Sequence, residues 1–200
     1  MSGKSRYHHG DLHNALLSAA LAVLDEQGFD ALSLRAVAAR AGVSHAAPAH
    51  HFPTLRHLLT ALAAVAFTRF GDSIRAALAR AEPNPRSQLA AAGDSYVGFA
   101  RDHPHQFRLI FSQTRLDWTD PELQAAGLAA YQPLRDVCAP VAALRGDASD
   151  AGRRKIELMV WSSVHGYAHL MLGGQLGAPG DAAAGIELPP RPDVEGLLLG

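Results

Sequence analysis

Residues Leu34 to Phe52 read LRAVAARAGVSHAAPAHHF. Leu34, Val37, Ala38 and Ala41 recur at three- and four-residue steps, the spacing of one buried helical face, and Ser33 before them is a residue type that caps a helix by accepting a backbone N–H. Gly42 then stops the helix, Val43 plugs the corner, and Ser44 caps a short further helix expected to reach about His50, ahead of Phe52-Pro53. Helix, glycine turn and helix is the spacing of a helix-turn-helix. In that motif the second helix offers its N-terminal residues to the major groove of DNA while the first crosses the phosphate backbone. An ordinary corner between helices has the same spacing, so spacing alone leaves both readings open.

Working outward, Leu12, Leu16, Ala19, Ala20, Val23 and Leu24 make an apolar face on a first helix, expected to be capped by Asp11 and ended by Gly28. With the two helices that follow, it predicts a compact three-helix unit up to Phe52. Thr54 opens a long helix carrying Leu55, Leu58, Leu62, Val65, Phe70, Ile74 and Leu78, which Pro83 and Pro85 break. Further helices are expected from Pro85 to about Arg101 and from Pro104 to about Ser112. A polar loop over Gln113 to Thr119 precedes one from Asp120-Pro121 to about Leu144, which Pro133 and Pro140 should bend or shorten. Another starts at Ser149 or Asp150 and runs through about Leu172. Beyond Gly173 the chain is rich in Gly, Pro and Ala, with a short helical possibility at Pro192 to Leu199. Strand alternation is nearly absent. The fold expected is all-α: an N-terminal helix-turn-helix domain over residues 1–53, then a helical ligand-binding and dimerisation domain over 54–200.

The 200 residues are 48% hydrophobic and 18% charged, with a formal net charge of −1. DNA binding must therefore come from a local surface and not from a global positive field. The single Cys138 excludes an internal disulfide and any multi-cysteine metal site, as a reducing cytoplasm permits. The N-terminus has no apolar stretch of signal-peptide type, and cytoplasmic residence is expected. Leu158 to Gly180 carries no formally charged side chain, but Gly173-Gly174 breaks it short of a membrane span. It reads as a buried or interface helix.

The stretches Gly10-Asp11-Leu12, Gly28 to Leu34, Ala41 to Pro48 and His51-Phe52, within Tyr7 to Phe70, resemble the TetR family of bacterial transcriptional repressors. Trp161, His165 and Gly166, preceded by Phe99 to Phe111 (FARDHPHQFRLIF), are similar to the branch whose ligand domain carries a Trp-His-Gly signature. The resemblance implies a homodimer that binds a double-stranded DNA operator and is released by a small-molecule effector; no enzymatic activity, cofactor, metal or membrane association is expected. The expected DNA contacts are Ser33, Arg35, Ser44, His45, Ala46, Ala49, His50, His51 and Arg56. Two positions depart from the family pattern: Ala49 stands where a phosphate-binding tyrosine is usual, and Leu55-Arg56 where a lysine and an acidic residue are. Residues 1–57 hold five Lys/Arg against four Asp/Glu, yet seven of the eleven histidines. Histidines can supply phosphate donors, and modest non-specific affinity is expected. These departures motivate a rival reading, a helical small-molecule-binding protein that has lost specific DNA binding.

Trp161, His165, His169 and Leu172 share one stripe of a helix that is apolar over much of its circumference. Either they are satisfied core residues, or Trp161 and His165 form the wall of a pocket for a small, largely apolar ligand, with Tyr96, Phe107 and Phe111 adding aromatic surface. The histidine groups His8/His9/His13, His50/His51/His57 and His103/His105 invite a metal reading, but adjacent histidines diverge on a helix. No Ser, His and acid spacing suggests catalysis.

Overall fold

The computed structural model describes residues 9–176 and 190–200, and every regular element among them is helical. The helices are α1 (His9–Gln27), α2 (Leu34–Ala41), α3 (Leu55–Arg80), α4 (Pro85–Asp102), α5 (Pro104–Ile110), α6 (Pro121–Leu144), α7 (Asp150–Leu172) and α8 (Val194–Leu199). Single 3-10 turns lie at Phe29–Ala31 and Ala47–His50. Side-chain oxygens cap six of the helices: Ser33 on α2, Thr54 on α3, Asn84 on α4, Asp120 on α6, Ser149 on α7 and Asp193 on α8, each satisfying an N–H that the first turn leaves unpaired.

The chain packs as two compact units, one of Met1–Ala66 with His105–Ala125 and one of Phe67–Pro104 with Ala126–Gly200. In the first, Leu16, Leu24, Val37, Leu58, Leu62, Phe107, Ile110 and Leu116 are wholly buried. Polar bonds hold the returning segment: Gln106 donates to both Asp25 carboxylate oxygens at 2.8 and 3.0 Å. Arg56 donates to the Leu116 carbonyl at 2.7 Å, and the Asp117 N–H donates to Thr60 Oγ1 at 3.0 Å. Gly28 turns at φ 77° under the His105 ring, which would lie 3.1 Å from a Cβ there, so both backbone and space require glycine.

In the second unit Phe70 meets Tyr96 and Phe99 edge-on at 5.0 and 5.2 Å, and α4 packs along α7. Val194 and Leu198 of α8 are buried. The Arg191 guanidinium passes over Gly93 and pairs with Asp94 and Glu195.

Two expectations are corrected and a third is narrowed. Asp11 stands inside α1 and not at its N-cap. Ser44 does not open a second α-helix, because the Ala47–His50 segment is a 3-10 turn containing Pro48. A helix through this segment would send the residue-48 N–H to the Ser44 carbonyl, and proline has none; that carbonyl takes the Ala47 N–H instead, at 3.0 Å. Pro133 and Pro140 do not shorten α6. Pro133 leaves the Ala129 carbonyl without its helical donor, and the Arg75 guanidinium donates to that oxygen at 3.2 Å. Tyr7 and His8 lie outside the described residues.

Candidate functional site

The N-terminal corner is fixed by backbone chemistry. At the end of α2 the Gly42 N–H bonds the Ala39 carbonyl at 3.2 Å and the Val43 N–H bonds the Ala38 carbonyl at 3.0 Å, with Gly42 left-handed at φ 68°. This paired closure, with the left-handed residue between, reverses the chain within one residue. Val37 and Ala38 are wholly buried in the unit where α2 packs on α1. The reversal delivers Ser44, His45, Ala46, Ala49 and His50 to the surface, and Arg35 is exposed on α2.

Not every expected contact is equally available. The Ser33 hydroxyl is occupied as a cap, accepting the Ala36 N–H at 3.1 Å. His51 is half-buried, with its ring 5.8 Å from that of His13. Arg56 is exposed, but one of its N–H groups is committed to Leu116. Arg40, also exposed and not among the expected contacts, forms a two-point ion pair with Glu26. With Arg40 so engaged, Arg35 and the exposed His45 and His50 are left as side-chain donors at this corner. Among the described residues no group of three or more His, Cys, Asp or Glu can hold a metal ion.

A second cluster lies in the other unit. Trp161 and His165 on α7 converge on Tyr96 of α4. The Trp161 indole N–H donates to the Tyr96 oxygen at 3.3 Å, and that hydroxyl is 2.6 Å from His165 Nδ1. An indole nitrogen can only donate, so the tyrosine oxygen accepts from Trp161, and its hydroxyl and His165 Nδ1 share one further hydrogen whose side is set by the imidazole tautomer. Burial, aided by neighbouring His169, pushes the His165 imidazole down to about 4, so it is neutral at pH 7. Burial also raises the Tyr96 hydroxyl above its ordinary range. The stripe continues backwards to Glu157, one turn before Trp161, whose carboxylate accepts the Tyr131 hydroxyl of α6 at 2.8 Å. The Tyr131 ring is 6.2 Å from Trp161.

Tyr96, Trp161 and His165 thus come together. Phe107 and Phe111 instead meet each other edge-on at 4.9 Å in the first unit. Glu157 and Tyr131 were not among the expected site residues; the i, i+4 step from Trp161 back to Glu157 was the available signal. The second unit also has an open groove of about 430 Å³, lined by Ala77, Arg80, Ala81, Ala91, Asp94 and Ser95. None of the described helices is long and apolar enough to cross a membrane.

Comparison with known proteins bears on both sites. Residues 16–62 match the family described as bacterial regulatory proteins, tetR family, and residues 89–188 match the tetracyclin repressor-like C-terminal domain. An uncharacterized HTH-type transcriptional regulator of Mycobacterium tuberculosis is 28% identical over 163 residues, 80% of this chain and 70% of its own. The HTH-type transcriptional regulator CymR of Pseudomonas putida is 40% identical over 68 residues, 34% of each chain. A solved protein of unknown function from Rhodococcus sp. RHA1 is 33% identical and covers 98% of this chain and all of its own, with a TM-score of 0.75.

Proposed function

Given that the chain belongs to the TetR family and is a DNA-binding transcriptional regulator, we propose that it is a cytoplasmic repressor released from its operator by a small, largely apolar ligand. Residues 1–53 read the DNA and residues 54–200 bind the effector and form a homodimer. Ser33, Arg35, Ser44, His45, Ala46, Ala49, His50, His51 and Arg56 supply the DNA contacts. Trp161 and His165, with Tyr96 between them, form the wall against which the ligand lies, in the manner of regulators with a Trp-His-Gly signature.

The observation that carries this reading is the Trp161, Tyr96 and His165 network. It is a polar relay held neutral inside an apolar setting, which suits a ligand needing one or two orienting hydrogen bonds. An effector that prefers one arrangement of the reading corners over another shifts the population away from the DNA-bound form by its differential affinity. Homodimer formation has support in the apolar residues that α6 and α7 leave exposed, among them Leu128 at 72% and Leu158 at 61%, surface of the kind a second subunit covers.

The test is titration of the protein against its own upstream DNA by fluorescence anisotropy, followed by a small-molecule screen for release. The reading requires release by at least one apolar compound that also changes Trp161 fluorescence in a Trp118→Phe background. His165→Ala should bind DNA normally and lose the release. A His165→Ala protein that responds like its parent would place sensing elsewhere.

A further inference from the structure

Among the described residues Glu157 is the one buried side chain that ordinarily carries a charge, 7% exposed. No Lys, Arg or His of the described residues stands within ion-pair distance of its carboxylate. A carboxylate withdrawn from water is costly unless a cation or several donors compensate it, and Tyr131 supplies one neutral donor. The groups around it do not provide the missing charge. Burial and the Glu157 carboxylate push the Tyr131 hydroxyl and the Cys138 thiol each up to about 12, so both stay neutral. His165, two turns along the stripe, is neutral as well. Arg135 of α6 is exposed and does not pair with Glu157. The Tyr131 hydroxyl lies on the carboxylate, and the Tyr131 ring is 6.2 Å from that of Trp161, one helical turn along α7 from Glu157, at 72° to it; aromatic faces attract cations.

We infer that the effector carries a single positive charge on an apolar body, as a protonated amine or quaternary ammonium does, and that Glu157 holds this charge between Tyr131 and Trp161. This rests on the reading of the α7 stripe as the effector site and adds the charge of its ligand. A neutral apolar molecule would leave the carboxylate uncompensated, and an anion would be repelled by it.

The experiment compares benzyltrimethylammonium with its uncharged carbon isostere neopentylbenzene, by Trp161 fluorescence and thermal shift in a Trp118→Phe background, with operator binding followed in parallel. The parent should bind the cation at least tenfold more tightly than the isostere, and Glu157→Gln, which can still accept the Tyr131 hydroxyl, should abolish that preference. Tyr131→Phe, which leaves the carboxylate in place, should keep it. Equal binding of the two probes by the parent, or a preference unchanged in Glu157→Gln, overturns the inference. So does a Glu157→Gln protein whose only change is weaker dimerisation, since the countercharge would then come from a second copy of the chain. Release of operator by neopentylbenzene alone sinks the cation while leaving the effector site standing; a parent that releases operator for neither probe, with Trp161 unresponsive, sinks both.

Discussion

Ala49 is exposed beside Pro48 on the 3-10 turn, where relatives usually carry a tyrosine that reaches a phosphate. Ala49→Tyr should tighten binding to all DNA sequences by up to about 1.5–3 kcal/mol before ordering costs, the worth of a hydrogen bond to a charged group; unchanged affinity in an anisotropy titration would mean that this turn docks differently. His165 makes a pH prediction. Its folded imidazole titrates near 4, below the value of about 6.5 for a free one. The unfolded chain therefore takes up a proton first, and stability present above about pH 6.5 is lost as pH falls towards 4. Denaturation midpoints of the parent and His165→Asn between pH 7 and 4 should converge as that contribution disappears; parallel curves would contradict it. Trp161 and His165 were legible as candidates because they repeat at a four-residue step on an uncharged stretch. Glu157 was not, since an acidic residue on a helix reads as solvent-facing until the Tyr131 hydroxyl is seen against it. Tyr96 could be named from its sequence, but its bond to a histidine 69 residues away could not.

At the level of elements, glycine illustrates how context sets sign. Gly42 has open space around the Cβ position but a φ of 68°, so Gly42→Ala should cost about 1–2 kcal/mol through backbone strain alone. Gly98 is equally unobstructed but sits within α4 in ordinary helical geometry, so Gly98→Ala should stabilise by about 0.5–1 kcal/mol. Urea denaturation of the two variants should move in opposite directions; the same direction in both would refute the assignment. The start and stop of α2 were readable, because Ser33 and Gly42 act on their immediate neighbours. Apolar spacing and a capping serine predict a short second helix after Gly42, but Pro48, whose missing N–H decides the local hydrogen bonding, makes the segment a 3-10 turn. The course of α6 through Pro133 to about Leu144 was readable, but the donor that serves the Ala129 carbonyl was not, because it comes from Arg75, 54 residues earlier.

For the whole molecule, a homodimer requires a symmetric operator: two half-sites about one helical turn apart or somewhat more, related by a two-fold axis. Sedimentation at micromolar concentration should show a dimer, and footprinting should protect both half-sites; a stable monomer bound to a single asymmetric half-site would contradict this. The all-helical class was legible because period-3.6 spacing pervades the chain and needs no tertiary information. The return of residues 105–125 to the first unit was not, since it depends on contacts such as Gln106 with Asp25 across 81 residues. That return has a consequence for synthesis. The reading corner is complete in sequence by Phe52, yet the unit that supports it lacks Phe107, Ile110 and Leu116 until residue 125 has been added. At roughly 5–20 residues per second, the ribosome holds an unfinished unit for roughly 3–12 seconds after Ala66, with Leu58 and Leu62 still short of part of their core, and during that interval the nascent chain is a client for whatever chaperone waits at the exit tunnel.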